Sequence, residues 1–150
     1  MREKSLIVGV DGSEGSRAAV DEAIDLAGAL DATVTFVFVR KSSSGWLGDP
    51  YYQRALNGDL AKARFAVVSA VETATSAGIE ADAEILEGDP ADELVSLADN
   101  RDSEMIVVGS RGHGALAGAM LGSVSQSVSQ HANRTVVVAK HMPARARQVA

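Results

Sequence analysis

An α/β fold, with one open, doubly wound parallel sheet of five strands in the order 3-2-1-4-5 and helices on both faces, follows from three features of the sequence. Five short segments rich in β-branched and apolar residues alternate with four segments whose apolar residues recur at helical spacing. Strand–helix–strand connections of this kind are right-handed crossovers between parallel strands. The segments SLIVGV (5–10) and SEMIVVG (103–109) are almost continuously apolar, as strands covered on both faces are, whereas IEADAEILE (79–87) alternates apolar with polar and belongs at an edge.

Each element has its own local reason. SLIVGV is the first strand, and DGSEGS after it carries turn and helix-start residues. From Ser13 onward Val20, Ala23, Ile24, Ala27 and Leu30 stand three and four apart, so the first helix buries one face. TVTFVFVR (33–40), β-branched and aromatic, is the second strand. KSSSGWLGDP (41–50) is polar and aperiodic and reads as a mobile loop. Leu56, Leu60, Ala63, Val67, Val71 and Ala74 then mark a second helix, which Gly78 stops before the third strand at 79–87. In GDPADELVSLA (88–98), Asp89 is the expected N-cap, Pro90 the first helical residue and Asp92 the third. SEMIVVG is the fourth strand, Val124, Val128 and Ala132 share one side of a fourth helix (123–132), and TVVVAK (135–140) is the fifth strand. The tail from His141 has no pattern.

At 150 residues and 15.5 kDa the chain is the size of one domain, which buries about 70% of its unfolded surface on folding. Apolar residues make up 46% and charged residues 23%, which excludes a disordered or fibrous class. No run approaches the roughly 20 apolar residues of a membrane span, and MREKSLIVGVDGS breaks too soon for a signal peptide, so a cytoplasmic location is expected. The absence of cysteine excludes disulfides, thiolate zinc sites and thiol catalysis. Fourteen basic against twenty acidic residues give a formal charge of -6, the wrong sign for nucleic acid. Any phosphate must therefore be held by locally aimed donors rather than by the overall field. His113, His131 and His141 lack metal-ligand spacing, so no protein-ligated metal is expected.

In a sheet of this order the ligand crevice opens at the carboxyl ends of the first and fourth strands, here VDGS (10–13) and GSRG (109–112). The second of these begins GSRGHGALAGAMLGS (109–123), with five glycines and a helix start at Gly122 and Ser123. Glycine allows positive φ and close approach of backbone to ligand, and a helix N-terminus presents unpaired N–H groups and about half a positive charge. A polyphosphate suits such a place. GxxxxGK[ST] is absent, and GSRGHG does not match GxGxxG.

Gly109, two residues, Gly112, nine residues, Gly122 and Ser123 form the spacing G-x2-G-x9-G-[ST], which resembles the nucleotide signature of the ATP-binding branch of the universal stress protein family. VGVDGS, EGDPADELVSLA and VVGSRGHG through TVVVAK follow that family's order of segments over essentially the whole chain. The resemblance implies Val10 and Asp11 near adenine and ribose, Val39 beside the base, and Gly109 and Gly112 along the ribose and α-phosphate. It places Gly122, Ser123, Val124 and Ser125 at the β- and γ-phosphates through N–H and hydroxyl groups, with Mg2+ on the phosphates. It further implies a homodimer through the last strand, slow ATP hydrolysis in some members, and a stress-linked regulatory role.

Plainer readings stand beside these. Ser123 with Gln126 makes a capping box, Asp11 caps the turn before the first helix, and Arg111 and His113 are solvated loop residues. Gly114 and Gly118 keep the loop flexible, and Trp46, Tyr51 and Tyr52 border the loop at 41–50 as a lid or by partial packing. TVVVAK exposes an apolar edge that pairing about a two-fold axis covers, or the tail from His141 does. The resulting expectation is a homodimeric ATP-binding stress-response or signalling regulator, with turnover slow or absent because no candidate base is evident. The alternatives are a nucleotidyl-transfer or adenylate-forming enzyme on a similar sheet and a nucleotide-free interaction module.

Overall fold

The computed structural model describes residues 3–41, 50–111 and 121–140. Along the chain these form β1 (Lys4–Gly9), α1 (Glu14–Leu30), β2 (Ala32–Arg40), α2 (Pro50–Ser76), β3 (Ala81–Glu87), α3 (Pro90–Asn100), β4 (Met105–Gly109), α4 (Ser123–His131) and β5 (Thr135–Ala139). The strands make one five-stranded sheet in the order β3-β2-β1-β4-β5, as the sequence predicts. All four pairings are parallel, with Val8 of β1 opposite Phe36 on one side and Val107 on the other.

Alternation along β1 divides the interior into two layers. Leu6 and Val8 point to a layer with Phe36 and Val107, closed by Ala19, Ala23 and Ala27 of α1 and Val67, Ala70 and Ala74 of α2. Ile7 points the other way, with Val37, Ile106 and Val108, under Ala91, Leu94 and Ala98 of α3 and Val128 of α4. Leu6, Ile7 and Val8 are fully buried, and each such side chain contributes about 1.5–3 kcal/mol of transfer free energy. Three consecutive buried residues explain why the central strand reads as an unbroken apolar run. β3, with Asp82, Ala83 and Glu87 exposed, is the edge that its alternation implied.

Several boundaries differ from the sequence reading. α2 begins at Pro50, six residues before the first periodic apolar residue, because proline's fixed φ suits a first helical position and apolar spacing says nothing about a helix's first turn. Gly78 follows α2 in the left-handed region at φ 80°, as a helix stop should. α1, by contrast, ends on Asp31 at φ 53°, whose N–H donates to the Ala27 carbonyl; an aspartate here takes the place more often given to glycine. Loop residues 42–49, with Trp46, and the tail 141–150 lie outside the described residues.

The amino end of the sheet is closed by two arginines. Arg101, just past α3, donates to Thr35 Oγ1 at 2.7 Å and pairs with Glu84 on β3. Arg134, just before β5, donates to Asp99 at 3.0 Å, to Asp102 at 3.2 Å and to the Ser103 carbonyl at 2.5 Å.

Candidate functional site

Three helix starts converge at the opposite end of the sheet. The first is held by its own side chains: Ser13 Oγ accepts from Ser16 N at 3.2 Å, and Asp11 Oδ1 accepts from Ser13 N at 2.9 Å and from the Ser13 hydroxyl. Gly12 takes the intervening turn at φ 83°. Val10 N donates to Val37 O at 2.9 Å, which carries the β1–β2 pairing into this turn. The start of α1 then lies directly against the end of β4. A Cβ added at Gly15 would stand 1.7 Å from the Arg111 carbonyl oxygen, and one added at Gly109 would stand 2.3 Å from the Gly15 carbonyl oxygen. Only residues without side chains allow these two backbones to touch.

The second start is α3, where Asp89 accepts from Asp92 N at 3.1 Å and Pro90 takes the first helical position, as predicted. Its crossover from edge strand β3 to inner strand β4 carries α3 across β2 and β1, so its first turn overlooks the same end of the sheet.

The third start differs in kind. The N-cap of α4 is Gly122, with no side-chain capping bond, so Ser123 is the first helical residue and the expected Ser123–Gln126 capping box is not formed. Gln126 N instead donates to the Gly122 carbonyl at 3.0 Å. The reason lies one residue earlier: Gly122 N donates to Ser110 O at 2.6 Å, and that bond fixes where the helix begins. The Ser125 hydroxyl reaches Ser110 O at 3.1 Å and Gly122 O at 3.0 Å, so it ties together the two ends of the glycine-rich segment. The N–H groups of Ser123, Val124 and Ser125 are the first three of the helix and lie beyond intrahelical pairing. Gly122 has φ -73° and Gly109 is not in the left-handed region, so of the two freedoms glycine allows it is close approach, not positive φ, that these positions use.

These starts enclose a crevice of about 470 Å³. Val10, Asp11, Val39, Gly109, Gly122, Ser123, Val124 and Ser125 all line it, whereas Gly112, with His113, Gly114 and Gly118, lies outside the described residues. Val37, Leu94 and Val108 add apolar wall, Pro90 and Ala91 come from α3, and Lys41 and Arg111 bring positive charge to an otherwise acidic chain. Ser16 also lines it. The α3 contribution escaped the sequence reading, although the strand order it predicted already carries that helix over the switch point. Lys41, two residues after Val39 at the end of β2, was open to the same argument.

The arrangement suits an elongated ligand with an apolar, flat portion and an anionic portion. Volume falls within the roughly 300–1,000 Å³ of small-molecule sites, the walls are largely valine and leucine, and the uncapped helix start favours an anion. Among the described residues no group of three His, Cys, Asp or Glu side chains is placed to hold a metal, and no helix is long and apolar enough to cross a membrane.

Comparison with known proteins adds four findings. The universal stress protein family model matches residues 3–140. A universal stress protein of Mycobacterium tuberculosis is 34% identical over 147 residues, covering 90% of this chain and 94% of that protein. Among solved structures, universal stress protein UspA from Lactobacillus plantarum superposes with a TM-score of 0.82 at 25% identity, covering 93% of this chain and 99% of that one. A universal stress protein crystallised in complex with cAMP gives 0.71 at 28% identity, covering 93% and 98%.

Proposed function

The chain belongs to the universal stress protein family, and we propose that its crevice binds ATP, with Mg2+ carried on the phosphates, in a homodimeric stress-response or signalling regulator of the cytoplasm. The observation that carries this reading is the start of α4: three successive N–H groups with no side-chain cap, opening on an apolar crevice of nucleotide size. The complex of a 28% identical structural relative with cAMP supports an adenine nucleotide as the ligand class.

In this reading adenine packs among Val10, Val37 and Val39, and Asp11 accepts from a ribose hydroxyl. Gly109 gives the ribose and α-phosphate room beside the backbone. The N–H groups of Ser123, Val124 and Ser125 receive the β- and γ-phosphates, while the Ser125 hydroxyl holds the cradle closed rather than meeting the ligand. Binding rather than turnover is the function: a water-orienting base would be needed for hydrolysis, and the carboxylate nearest the turn, Asp11, is already engaged by Ser13. Occupancy stabilises one arrangement of the crevice, which is the signal.

The partner is a second copy, paired through Thr135 to Lys140. β5 is the last strand of the sheet, and Val136, Val137 and Val138 are only half-buried there.

Calorimetric titration with ATP and magnesium tests the site. The native chain is expected to bind, and Gly122→Val, which puts a branched side chain at the mouth of the amide cradle, is expected to weaken binding at least tenfold; equal affinity in the two proteins removes the cradle. Sedimentation of the native chain is expected to give a dimer, and a monomer at micromolar concentration removes the β5 pairing.

A further inference from the structure

Ser16 is a polar residue in the wrong place for a purely structural role. It stands in the first turn of α1, is only 7% exposed, and lines the crevice. Its N–H donates to Ser13 Oγ at 3.2 Å, but its hydroxyl takes part in no hydrogen bond among the described residues. In a capping box a Glu or Gln three residues past the cap reaches back to the N–H of the capping residue, a span a serine side chain is too short to cover. Here that N–H is in any case taken, because Ser13 N donates to Asp11 Oδ1 at 2.9 Å.

Among the described residues the only side-chain polar atom both sealed from solvent and without a partner is Arg40 Nε, so the unbonded Ser16 hydroxyl opens on the crevice and is available to whatever fills it. The surroundings say what that is. Neighbouring Gly15 presses on the backbone of Gly109 and Arg111, which puts Ser16 between the ends of β1 and β4, beside the cradle closed by Gly122 and Ser110. The amino ends of α1 and α4 both bring positive dipole ends here, and Arg111 lines the same space. The hydroxyl therefore serves best as a donor to an anionic oxygen.

Resting on the nucleotide reading above, we infer that Ser16 donates its hydroxyl hydrogen to a phosphate oxygen of the bound nucleotide and so makes the crevice prefer nucleotides over the nucleoside. The contact comes from the α1 face of the sheet, opposite the α4 cradle, so the phosphate chain is held from two sides.

The test is Ser16→Ala in the full chain, titrated with ATP, AMP and adenosine and melted without ligand. A hydrogen bond to a charged acceptor predicts affinity falling roughly tenfold for ATP and AMP, with adenosine unaffected. The ligand-free melting temperature is expected to stay level or rise, because no protein hydrogen bond is removed. Unchanged affinity for ATP and AMP overturns the assignment, as does an equal loss for adenosine, or a lower melting temperature showing that the hydroxyl bonds to protein. Failure of the native chain to bind any adenine nucleotide overturns the reading beneath it together with this one, whereas native binding that survives Ser16→Ala overturns this one alone.

Discussion

The two ends of the sheet are built on opposite principles. At the amino end charged side chains find protein partners: Arg101 joins the end of α3 to Thr35 and Glu84, and Arg134, just before β5, joins Asp99, Asp102 and Ser103. At the carboxyl end the polar groups stop short of full pairing, with α4 uncapped by any side chain and the Ser16 hydroxyl turned to the crevice. A parallel sheet places helix C-termini at one end and helix N-termini at the other, so this asymmetry follows from the topology. The lesson is a division of labour: one end contributes stability, the other gives some of it up for a ligand.

The largest effect expected from this contrast is at Arg134. Its side chain is 18% exposed, and it donates to a carbonyl of Ser103, itself 1% exposed. Hydrogen bonding to Asp99 holds the guanidinium above its ordinary pKa, against the opposing effect of burial. A raised value in a cation contributes stability that is present below the unfolded-state value and lost only in strong alkali, so this contribution is flat around neutrality. Asp99 and Asp102 are partly exposed, and their ion pairs contribute less than about 1 kcal/mol; the buried carbonyl left without a donor costs about 1–3 kcal/mol. Arg134→Ala is therefore expected to lower stability by about 2 kcal/mol, or roughly 5 °C in melting temperature for a domain of this size, with ATP affinity unchanged. A change in affinity comparable to the stability loss would show that the two ends are coupled and break the comparison.

How far the sequence anticipates these ends differs in the same way. Periodicity and strand apolarity yield the sheet order, because burial on both faces of β1 and β4 leaves its mark on every residue of those strands. The crevice follows from that order alone, and the glycine spacing draws attention to Gly109 and Gly122. What the sequence does not reveal is why each glycine is there. Gly109 faces Gly15, a contact between residues 94 positions apart that no local pattern encodes. Ser123 with Gln126 matches a capping box, yet the Gly122–Ser110 bond moves the helix start by one residue, and a tertiary contact overrides a local signature. Ser16 escapes notice for a related reason: its place on the crevice comes with the Gly15–Gly109 contact beside it, which no local pattern encodes.

The smallest effects give the sharpest comparison, because they set two helix starts on the same crevice against each other. At α3 the Asp89 carboxylate accepts from Asp92 N, so Asp89→Ala removes a cap and is expected to cost about 1 kcal/mol. At α4 the serine that looks like a cap is the first helical residue and makes no capping bond, so Ser123→Ala is expected to change stability by less than about 0.5 kcal/mol. ATP affinity should also move little in Ser123→Ala, since alanine keeps the N–H that the phosphates use, whereas a tenfold loss would assign the contact to the hydroxyl. Urea unfolding of the two variants beside the native chain decides the matter. If Ser123→Ala proves as destabilising as Asp89→Ala, then α4 is capped in solution, its amides are not free to receive an anion, and the contrast between the two ends of the sheet disappears.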